Sequence, residues 1–325
     1  MTEILTGLWA TPLHSVYLVA DTLPLGKNVA VHKRIQDMRY VPTLFRRSAT
    51  NTHCATGPQS HKGCRKERMD LIFDTHAHYD DEAFDEDREN LLSSMQENGI
   101  GRIVNIGASL ASCRRTIELM EQYDFVYGAL GVHPSDTAEL DEESFRWLEE
   151  VCQLKKCLAV GEIGLDYYWD EPDRDTQKRW FVRQLHLAEK IGKPVVIHSR
   201  EAAKDTIDIM KAEHCDRIGG VIHCYSYTKE SARDYLEMGY YFGIGGVVTF
   251  NNARKLKEAV EYLPLDRIVL ETDCPYLAPV PNRGKRNSSL NLPYVVQTIA
   301  RLKNVDEKTV REVTWQNAEK LYRMK

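Results

Sequence analysis

Six residues of the types that bind metal ions follow short apolar runs rich in Val, Ile and Leu. They are His76, His78, Glu162, His198, His223 and Asp273. A single histidine after such a run is usually a packed core or loop residue. The repeated pattern is more informative, because a (β/α)₈ barrel builds its active site from polar residues at the carboxyl ends of its strands. The six residues therefore predict one metal centre assembled from five strands.

The spacing of these residues indicates more than one ion. His76 and His78 are two residues apart, so in an extended strand both imidazoles lie on one face and can converge on a single cation. Histidines combined with carboxylates suit Zn²⁺ and Mn²⁺, and Mg²⁺ where a substrate phosphate contributes. Six ligands exceed one tetrahedral site with an open position, and they suit two ions bridged by one carboxylate. The expected sets are His76, His78 and Asp273 for one ion and His198 and His223 for the other, with Glu162 as the bridge.

Asp273 has two interpretations. Beside a pair of ions its carboxylate can accept a proton from an attacking water and act as general base. Alternatively, it is the N-cap of the following helix.

Four further residues near the predicted strand ends are candidates for binding substrate. His133 ends the third apolar run, and Arg200 can hold an anion through its guanidinium fork. Asp166 and Tyr167 begin an aromatic loop after the fourth run, and such a loop can stack a nucleobase. Each residue also has a purely structural interpretation, as a turn, helix-surface or packed loop residue.

A basic loop follows the eighth run. Arg283, Lys285 and Arg286 bring three cations into an otherwise acidic part of the chain. In barrels of this kind, loops after the last strands frequently bind phosphate. The loop is therefore predicted to clamp a substrate phosphate, the alternative being an ordinary solvated loop.

Strand-like and helix-like segments alternate from residue 69 to the C-terminus. The eight strand-like runs are Leu71–Thr75, Arg102–Ile106, Val126–Leu130, Leu158–Glu162, Val195–His198, Gly220–His223, Tyr240–Ile244 and Ile268–Thr272. Alternation of this kind predicts a parallel sheet with helices outside it. An open doubly wound sheet is the rival, but it would concentrate its site at one switch point and no glycine-rich phosphate loop follows the first run. A (β/α)₈ barrel with C-terminal helices is the predicted fold.

The first 68 residues differ from the rest. They carry ten basic and four acidic residues, show no sustained helix or strand period, and end in a polar, basic tract. We expect residues 1–68 to be an irregular, poorly ordered extension and residues 69–325 to be the barrel domain.

Composition restricts the cellular setting. The chain of 325 residues has a net charge of −5, which argues against a protein that coats nucleic acid. Its eight cysteines include no Cys-x-x-Cys pair, and a reducing cytoplasm is the simplest compartment. The sequence predicts neither membrane attachment nor an obligate protein partner.

The ordered motifs resemble those of the TatD family of metal-dependent deoxyribonucleases. The match spans residues 69–325 and uses FDTHAH at 73–78, GVHP at 131–134, GEIGLDY at 161–167, IHSR at 197–200, HCYS at 223–226, ETDCPYL at 271–277 and RGKRN at 283–287. The resemblance implies a TIM barrel, two divalent ions and DNA as substrate, with 3′–5′ exonucleolytic cleavage of single strands. One departure is visible: Ser288 and Ser289 replace the Glu-Pro that commonly follows Arg-Asn in the family.

Three other activities remain open. Related barrels that begin with His-x-His are amidohydrolases of small cyclic amides or esters, although many of them bridge their ions with a carboxylated lysine where this chain has Glu162. Hydrolysis of the ester of aminoacyl-tRNA is a second alternative. A metal-binding protein without catalysis is the third, and Asp273 disfavours it because this residue completes a water-activating set.

Overall fold

Eight parallel strands form one sheet in the computed structural model, which describes residues 70–169 and 171–324. The strands are β1 Ile72–Ala77, β2 Ile100–Ile106, β3 Val126–Leu130, β4 Cys157–Asp166, β5 Val195–Arg200, β6 Gly220–Ile222, β7 Tyr241–Ile244 and β8 Ile268–Leu270. Each strand pairs with the next in chain order, and a bridge between Ala77 and Cys274 joins the two ends of the sheet. The predicted barrel is confirmed, and the extension predicted over residues 1–68 lies outside the described residues.

Helices separate the strands along the chain. They are α1 Arg88–Ser94, α2 Leu110–Gln122, α3 Glu142–Val151, α4 Arg174–Ile191, α5 Ala203–Ala212, α6 Lys229–Glu237, α7 Arg254–Tyr262, α8 Leu292–Lys303 and α9 Glu307–Leu321. Short 3₁₀ helices lie at Glu82–Phe84, Pro134–Glu139, Cys215–Arg217, Gly246–Thr249, Leu265–Arg267 and Ser289–Asn291. Helix α4 ends at Ile191, and the left-handed φ of 68° at Gly192 makes this glycine its C-cap. In the described part of the chain, no helix is long and apolar enough to cross a bilayer.

The eight sequence-predicted runs correspond to the eight strands, and the largest difference is at β4. This strand continues four residues beyond the predicted end, to Asp166. Its register with β5 shifts between Val160 and Ile163. Gly164 then adopts a φ of 145°, and a Cβ there would lie 1.9 Å from the carbonyl oxygen of His198. Only glycine allows β4 to run so closely beside β5.

The barrel interior is filled from its amino-terminal end. Small and branched residues of the strands, such as Val104, Val196 and Val269, form an inner cluster with residues of α9. The ring of Trp315 lies 5.5 Å from that of Phe73, measured between centroids. Helix α9 packs against this inner cluster, and the polar residues of the site lie at the opposite, carboxyl ends of the strands.

Candidate metal centre

A cavity of about 960 Å³ opens at the carboxyl ends of the barrel strands. Five of the six predicted ligands line it: His78, Glu162, His198, His223 and Asp273. His76 lies immediately below this wall, at 1% relative exposure. The structure therefore brings all six predicted ligands together, although five different strands or strand ends supply them.

The first expected ligand set is assembled from the two ends of the barrel chain. The Nε2 atoms of His76 and His78 lie 3.1 Å apart. Asp273 Oδ1 is 3.6 Å from His76 Nε2 and 3.3 Å from His78 Nε2. Three ligand-type atoms within this distance of one another can hold a single ion.

The second expected set lies on the adjacent strands β5 and β6. His198 Nδ1 and His223 Nε2 are 3.1 Å apart. Each of these nitrogens lies 2.7 Å from Glu162 Oε1. This set consists of two imidazoles and one carboxylate oxygen, a further three-ligand group.

Glu162 lies between the two sets and divides its oxygens between them. Oε1 faces His198 and His223, whereas Oε2 lies 3.4 Å from His76 Nε2 and 3.9 Å from His78 Nε2. A carboxylate in this position can ligate one ion through each oxygen. The arrangement matches the bridge that the sequence predicts.

The donor chemistry of the cluster fits bound cations. Two pairs of imidazole nitrogens approach to 3.1 Å, His76 with His78 and His198 with His223. In each pair the two nitrogens point at a common space beside a carboxylate oxygen, and a divalent ion satisfies such converging lone pairs.

The pKa values of the histidines show that each set favours a positive charge. Burial alone would lower the pKa of His78, but a hydrogen bond to Asp273 and the charge of that carboxylate raise it to about 9. Burial likewise opposes protonation of His223, whereas the charge of Glu162 raises its pKa to about 10. Burial lowers the pKa of His76 to about 4, and the nearby His223 acts in the same direction. Burial opposes protonation of His198 as well, but hydrogen bonds to Asp166 and Glu162 raise its pKa, so both ligand sets favour positive charge.

The two carboxylates of the cluster are held in their charged form. Burial alone would raise the pKa of Glu162, but the charge of His223 and hydrogen bonds from His198 and His223 hold it well below its usual range. The pKa of Asp273 is likewise lowered against the effect of burial, chiefly by its hydrogen bond with His78. Both groups can therefore act as ligands or proton acceptors near neutral pH.

The backbone at Asp273 places its side chain in the cluster. Asp273 has a φ of 55°, and its amide donates to the carbonyl oxygen of His76 at 2.9 Å. Aspartate tolerates this left-handed conformation better than most residues, and such conformations concentrate at functional sites. The carboxylate faces His76 and His78, which favours the role in the cluster over the N-cap alternative.

His133 presents a hydrogen-bond donor to the cavity. Its Nδ1 accepts from the amide of Ser135 at 3.2 Å, so its Nε2 carries the ring proton. That Nε2 lies 3.9 Å from Glu162 Oε1. Burial lowers the pKa of His133 to about 3, so the ring is neutral at pH 7.

The remaining predicted substrate residues occupy different positions. Asp166 Oδ2 lies 3.1 Å from His198 Nε2, on the side of the ring opposite Glu162, where it orients that imidazole. Arg200 lines the cavity, and its guanidinium lies 3.8 Å from the ring centroid of Tyr168. Tyr167 is absent from the lining residues of this cavity, and its hydroxyl donates to Asp205 at 2.7 Å. Its near neighbour Trp169 lines the cavity and is 64% exposed.

The basic loop borders a second cavity, of about 1180 Å³, beside the first. Arg283, Lys285 and Arg286 all line it and are exposed. Arg286 donates two hydrogen bonds to Asp87, at 2.8 and 2.5 Å, and the guanidinium of Arg283 lies 4.3 Å from the ring centroid of Phe250. The three cations line this second cavity and not the cavity of the histidine cluster, and their role in binding substrate stays a prediction.

Sequence reasoning assigned no role to two buried carboxylates under the cluster. Asp74 accepts hydrogen bonds from the hydroxyls of Thr272 and Ser289, at 2.8 and 2.6 Å, and so ties β1 to the segment after β8. Ser289, at the departure from the family pattern, therefore has a structural partner. Glu271 lies below His223; burial raises the pKa of Glu271 to about 8, while the charge of His223 opposes that shift. A charged residue inside an apolar run was the signal for both.

Arg115 is a further residue that sequence reasoning missed. It lies in α2, is exposed and lines the cavity of the histidine cluster. Within the described part of the chain, neither Arg115 nor Arg200 forms an ion pair with a carboxylate, unlike Arg286. Two guanidinium groups in this cavity are therefore available to an anion. A helix-surface arginine has no distinguishing sequence pattern.

Comparison with known proteins identifies the family. The family model described as "TatD related DNase" matches residues 73–323. The chain belongs to the TatD family. Relatives of this TatD protein include the uncharacterized metal-dependent hydrolase YabD of Bacillus subtilis, 41% identical over 78% of the chain and 100% of that protein. The uncharacterized metal-dependent hydrolase TatD of Mycobacterium tuberculosis is 34% identical over 77% of the chain and 97% of that protein.

Solved structures agree with this assignment. The crystal structure of the TatD homologue YjjV from Escherichia coli K12 superposes with a TM-score of 0.74 at 28% identity, covering 79% of this chain and 100% of that one. A TatD-family hydrolase from Entamoeba histolytica, 23% identical with a TM-score of 0.71, shares the fold. The chain is thus a metal-dependent hydrolase of the TatD family, with an amidohydrolase-like TIM barrel.

Proposed function

We propose that this TatD-family hydrolase cleaves phosphodiester bonds of DNA with two divalent ions, removing nucleotides from the 3′ ends of single strands. The observation that carries the proposal is the position of Glu162, whose two carboxylate oxygens face two separate ligand sets. The polarity and the preference for single strands rest on the resemblance of the motifs to the family.

The walls of the cavity suit a polyanion with exposed bases. Arg115 and Arg200 supply guanidinium groups that bind phosphate oxygens through paired hydrogen bonds. Trp169 and Tyr276, 64% and 59% exposed, line the same cavity and offer aromatic faces on which bases can stack. A small cyclic amide would need neither feature.

The ligand sets and Asp273 have the geometry for the hydrolytic step. When two divalent ions are bound, they supply Lewis-acid polarisation of the phosphoryl group and lower the pKa of water. His76, His78 and Asp273 would hold one ion, His198 and His223 the other, and Glu162 both. Asp273 keeps a charged oxygen facing this space and accepts the proton of the attacking water.

His133 and Asp166 complete the arrangement. The neutral His133 donates its Nε2 proton to an oxygen of the substrate, because its Nδ1 is already occupied by Ser135. Asp166 fixes the ring of His198 and so holds a ligand in place. Arg200 then orients a phosphate beside these groups.

A substrate panel tests the proposal. We expect the protein with Mn²⁺ or Mg²⁺ to shorten 5′-labelled single-stranded DNA one nucleotide at a time, and a chelator to stop the reaction. The same preparation is assayed on RNA, on aminoacyl-tRNA and on a cyclic amide and a lactone. Intact DNA together with hydrolysis of an amide, lactone or aminoacyl ester would replace the proposal by one of the alternative hydrolase activities.

A further inference from the structure

Three buried polar atoms below the metal centre have no hydrogen-bond partner in the part of the chain that the structure describes. They are His76 Nδ1, His223 Nδ1 and Glu271 Oε2. Their residues are 1%, 6% and 1% exposed. Unpaired buried polar atoms are costly and uncommon, so three of them in residues that are neighbours in space indicate a shared function.

The three residues form one group. The rings of His76 and His223 stack with their centroids 4.0 Å apart and their planes 12° apart. Ligand-type atoms of both histidines and of Glu271 lie within 4.8 Å of one another. Glu271 Oε1 is 4.0 Å from His223 Nδ1 and accepts a hydrogen bond from the amide of Cys224 at 2.5 Å. The backbone after His223 thus holds the carboxylate under the rings.

Each ring of the stack has one nitrogen directed toward Glu162 and a second nitrogen on its other side. Both Nε2 atoms point to Glu162, His76 to Oε2 at 3.4 Å and His223 to Oε1 at 2.7 Å. His223 Nδ1 faces Glu271 from the other side of its ring, and the stacking of the two rings places His76 in the same group. One ring belongs to each proposed ligand set, so one carboxylate lies against both sets from the buried side.

A glycine in the neighbouring strand β7 leaves the space that the Glu271 carboxylate occupies. A Cβ at Gly243, in β7, would lie 1.9 Å from Glu271 Oε2 and 2.7 Å from Oε1. The glycine backbone therefore forms the floor on which the carboxylate rests. Any side chain at position 243 has to displace Glu271 from its place under the rings.

We propose that Glu271 is a shared positioning residue, which accepts the Nδ1 protons of both His76 and His223 and thereby aims one imidazole of each ligand set at the ions. The inference rests on the proposed two-ion function. A ligating histidine almost always gives its second ring proton to a carboxylate, carbonyl or water, which fixes its tautomer and strengthens it as a ligand. Here one carboxylate performs this task for two histidines and couples the two sites.

Calorimetric titration of the metal-free full-length protein with Zn²⁺ alone is the first test. We expect Glu271→Gln, which keeps the size of the side chain but replaces one of its two acceptor oxygens by an NH2 donor, to weaken the binding of both ions by about 10–100-fold, the range typical of such outer partners. Gly243→Ala should produce a smaller loss of the same kind without altering any ligand. Asp74→Asn, a change of another buried carboxylate that faces no imidazole nitrogen, should lower the melting temperature and leave the affinities close to wild type.

Imidazole ¹H–¹⁵N correlation spectra of the Zn²⁺-loaded protein separate positioning from a general loss of stability. Wild type should show two Nδ1 protons, of His76 and His223, shifted by hydrogen bonding and slow to exchange. Both signals should move in Glu271→Gln, and both should persist in Asp74→Asn. If Glu271→Gln folds poorly, Gly243→Ala carries the same prediction.

Three results would overturn the inference. One is wild-type affinity for both ions in Glu271→Gln with unchanged Nδ1 signals. Another is loss of a single ion only, which would restrict Glu271 to one set. The third is binding of three Zn²⁺ ions by wild type and two by Glu271→Gln, which would make the group a third ligand site. A wild-type protein that cleaves DNA while Glu271→Gln binds metal normally removes this inference alone; a wild-type protein that binds no metal removes the proposed function as well.

Discussion

The histidine cluster and the basic loop both contain several charged groups, but those of the cluster are largely buried and those of the loop are exposed. Each member of the cluster is held by a strand, a neighbouring ring or a carboxylate, and the cluster residues Glu162 and His76 are almost fully buried. The loop cations are exposed, and Arg286 is bound by Asp87 of the same chain. Burial strengthens the interaction of the cluster's charged groups with a bound ion, whereas solvent and salt screen the exposed charges of the loop.

Because of this contrast, we expect changes in the cluster to affect the chemical step and changes in the loop to affect the affinity for substrate. Removing a buried charge leaves its partners unpaired in a low-dielectric region, so the effect is large and local. Removing an exposed charge weakens attraction to a polyanion in proportion to the number of phosphate groups that the charge neutralises. The cavity arginines Arg115 and Arg200 lie between these extremes, because they border the cluster and have no acidic partner among the described residues.

The largest effect is expected at Asp273. Asp273→Asn keeps the size of the side chain but removes its ability to accept a proton, and loss of a general base lowers kcat by about 10²–10⁴-fold. The loss exceeds that range if an ion also leaves. Single-turnover cleavage of single-stranded DNA measures the rate, and filter binding measures the affinity, which should stay near wild type.

Asp136→Asn is the matched control for Asp273→Asn. It makes the same isosteric change in a residue of the same cavity whose carboxylate has no histidine partner in the described structure. Its rate should change little. Equal losses in the two variants would mean that any carboxylate of the cavity matters and that Asp273 has no special role.

An intermediate effect is expected from the cavity arginines. Replacing Arg115 and Arg200 together by alanine should raise KM for DNA roughly tenfold or more, since hydrogen bonds between charged groups contribute about 1.5–3 kcal/mol each. The salt slope of binding should fall by about 0.7 for each phosphate that is no longer neutralised. Arg233→Ala, which removes an exposed arginine of α6, is the control. An unchanged KM with a lower kcat would assign the pair to chemistry.

The smallest effect is expected at the basic loop. Neutralising Arg283 and Lys285 should raise KM a few-fold and flatten its salt dependence, with kcat unchanged. Adding Arg286→Gln should change KM no further, because Asp87 already binds that guanidinium, and should lower the melting temperature instead. Steady-state kinetics at several salt concentrations measures kcat, KM and the salt dependence of KM. A further rise of KM in the triple variant would show that Arg286 also contacts DNA.

Much of the fold was predictable because strand runs and helix periods alternate without interruption from residue 69. The end of β4 was not, since Ile163 and Leu165 continue the strand beyond Glu162 through a register shift and Gly164. Such a shift depends on how closely two backbones approach, which a hydrophobic pattern does not encode.

The ligands of the cluster were predictable because each combines a distinctive residue type with a position near a strand end. Their partners were harder to find. Glu271 and Asp74 act through hydrogen bonds with residues more than 40 positions away in the chain, such as Cys224 and Thr272. Arg115 lies on a helix whose orientation toward the cavity only the folded barrel determines. Tertiary contacts, rather than local patterns, therefore define the surroundings of the site.

The number of ions bound per chain tests most directly whether one carboxylate joins two ligand sets. Mn²⁺ is titrated calorimetrically into the metal-free wild type, Glu162→Gln and His198→Ala. We expect two ions for wild type, severe weakening of the binding of both in Glu162→Gln, and loss of mainly one in His198→Ala, since His198 contacts only Oε1 of the bridge. Loss of the same single ion in both variants, with the other unaffected, would contradict the shared bridge.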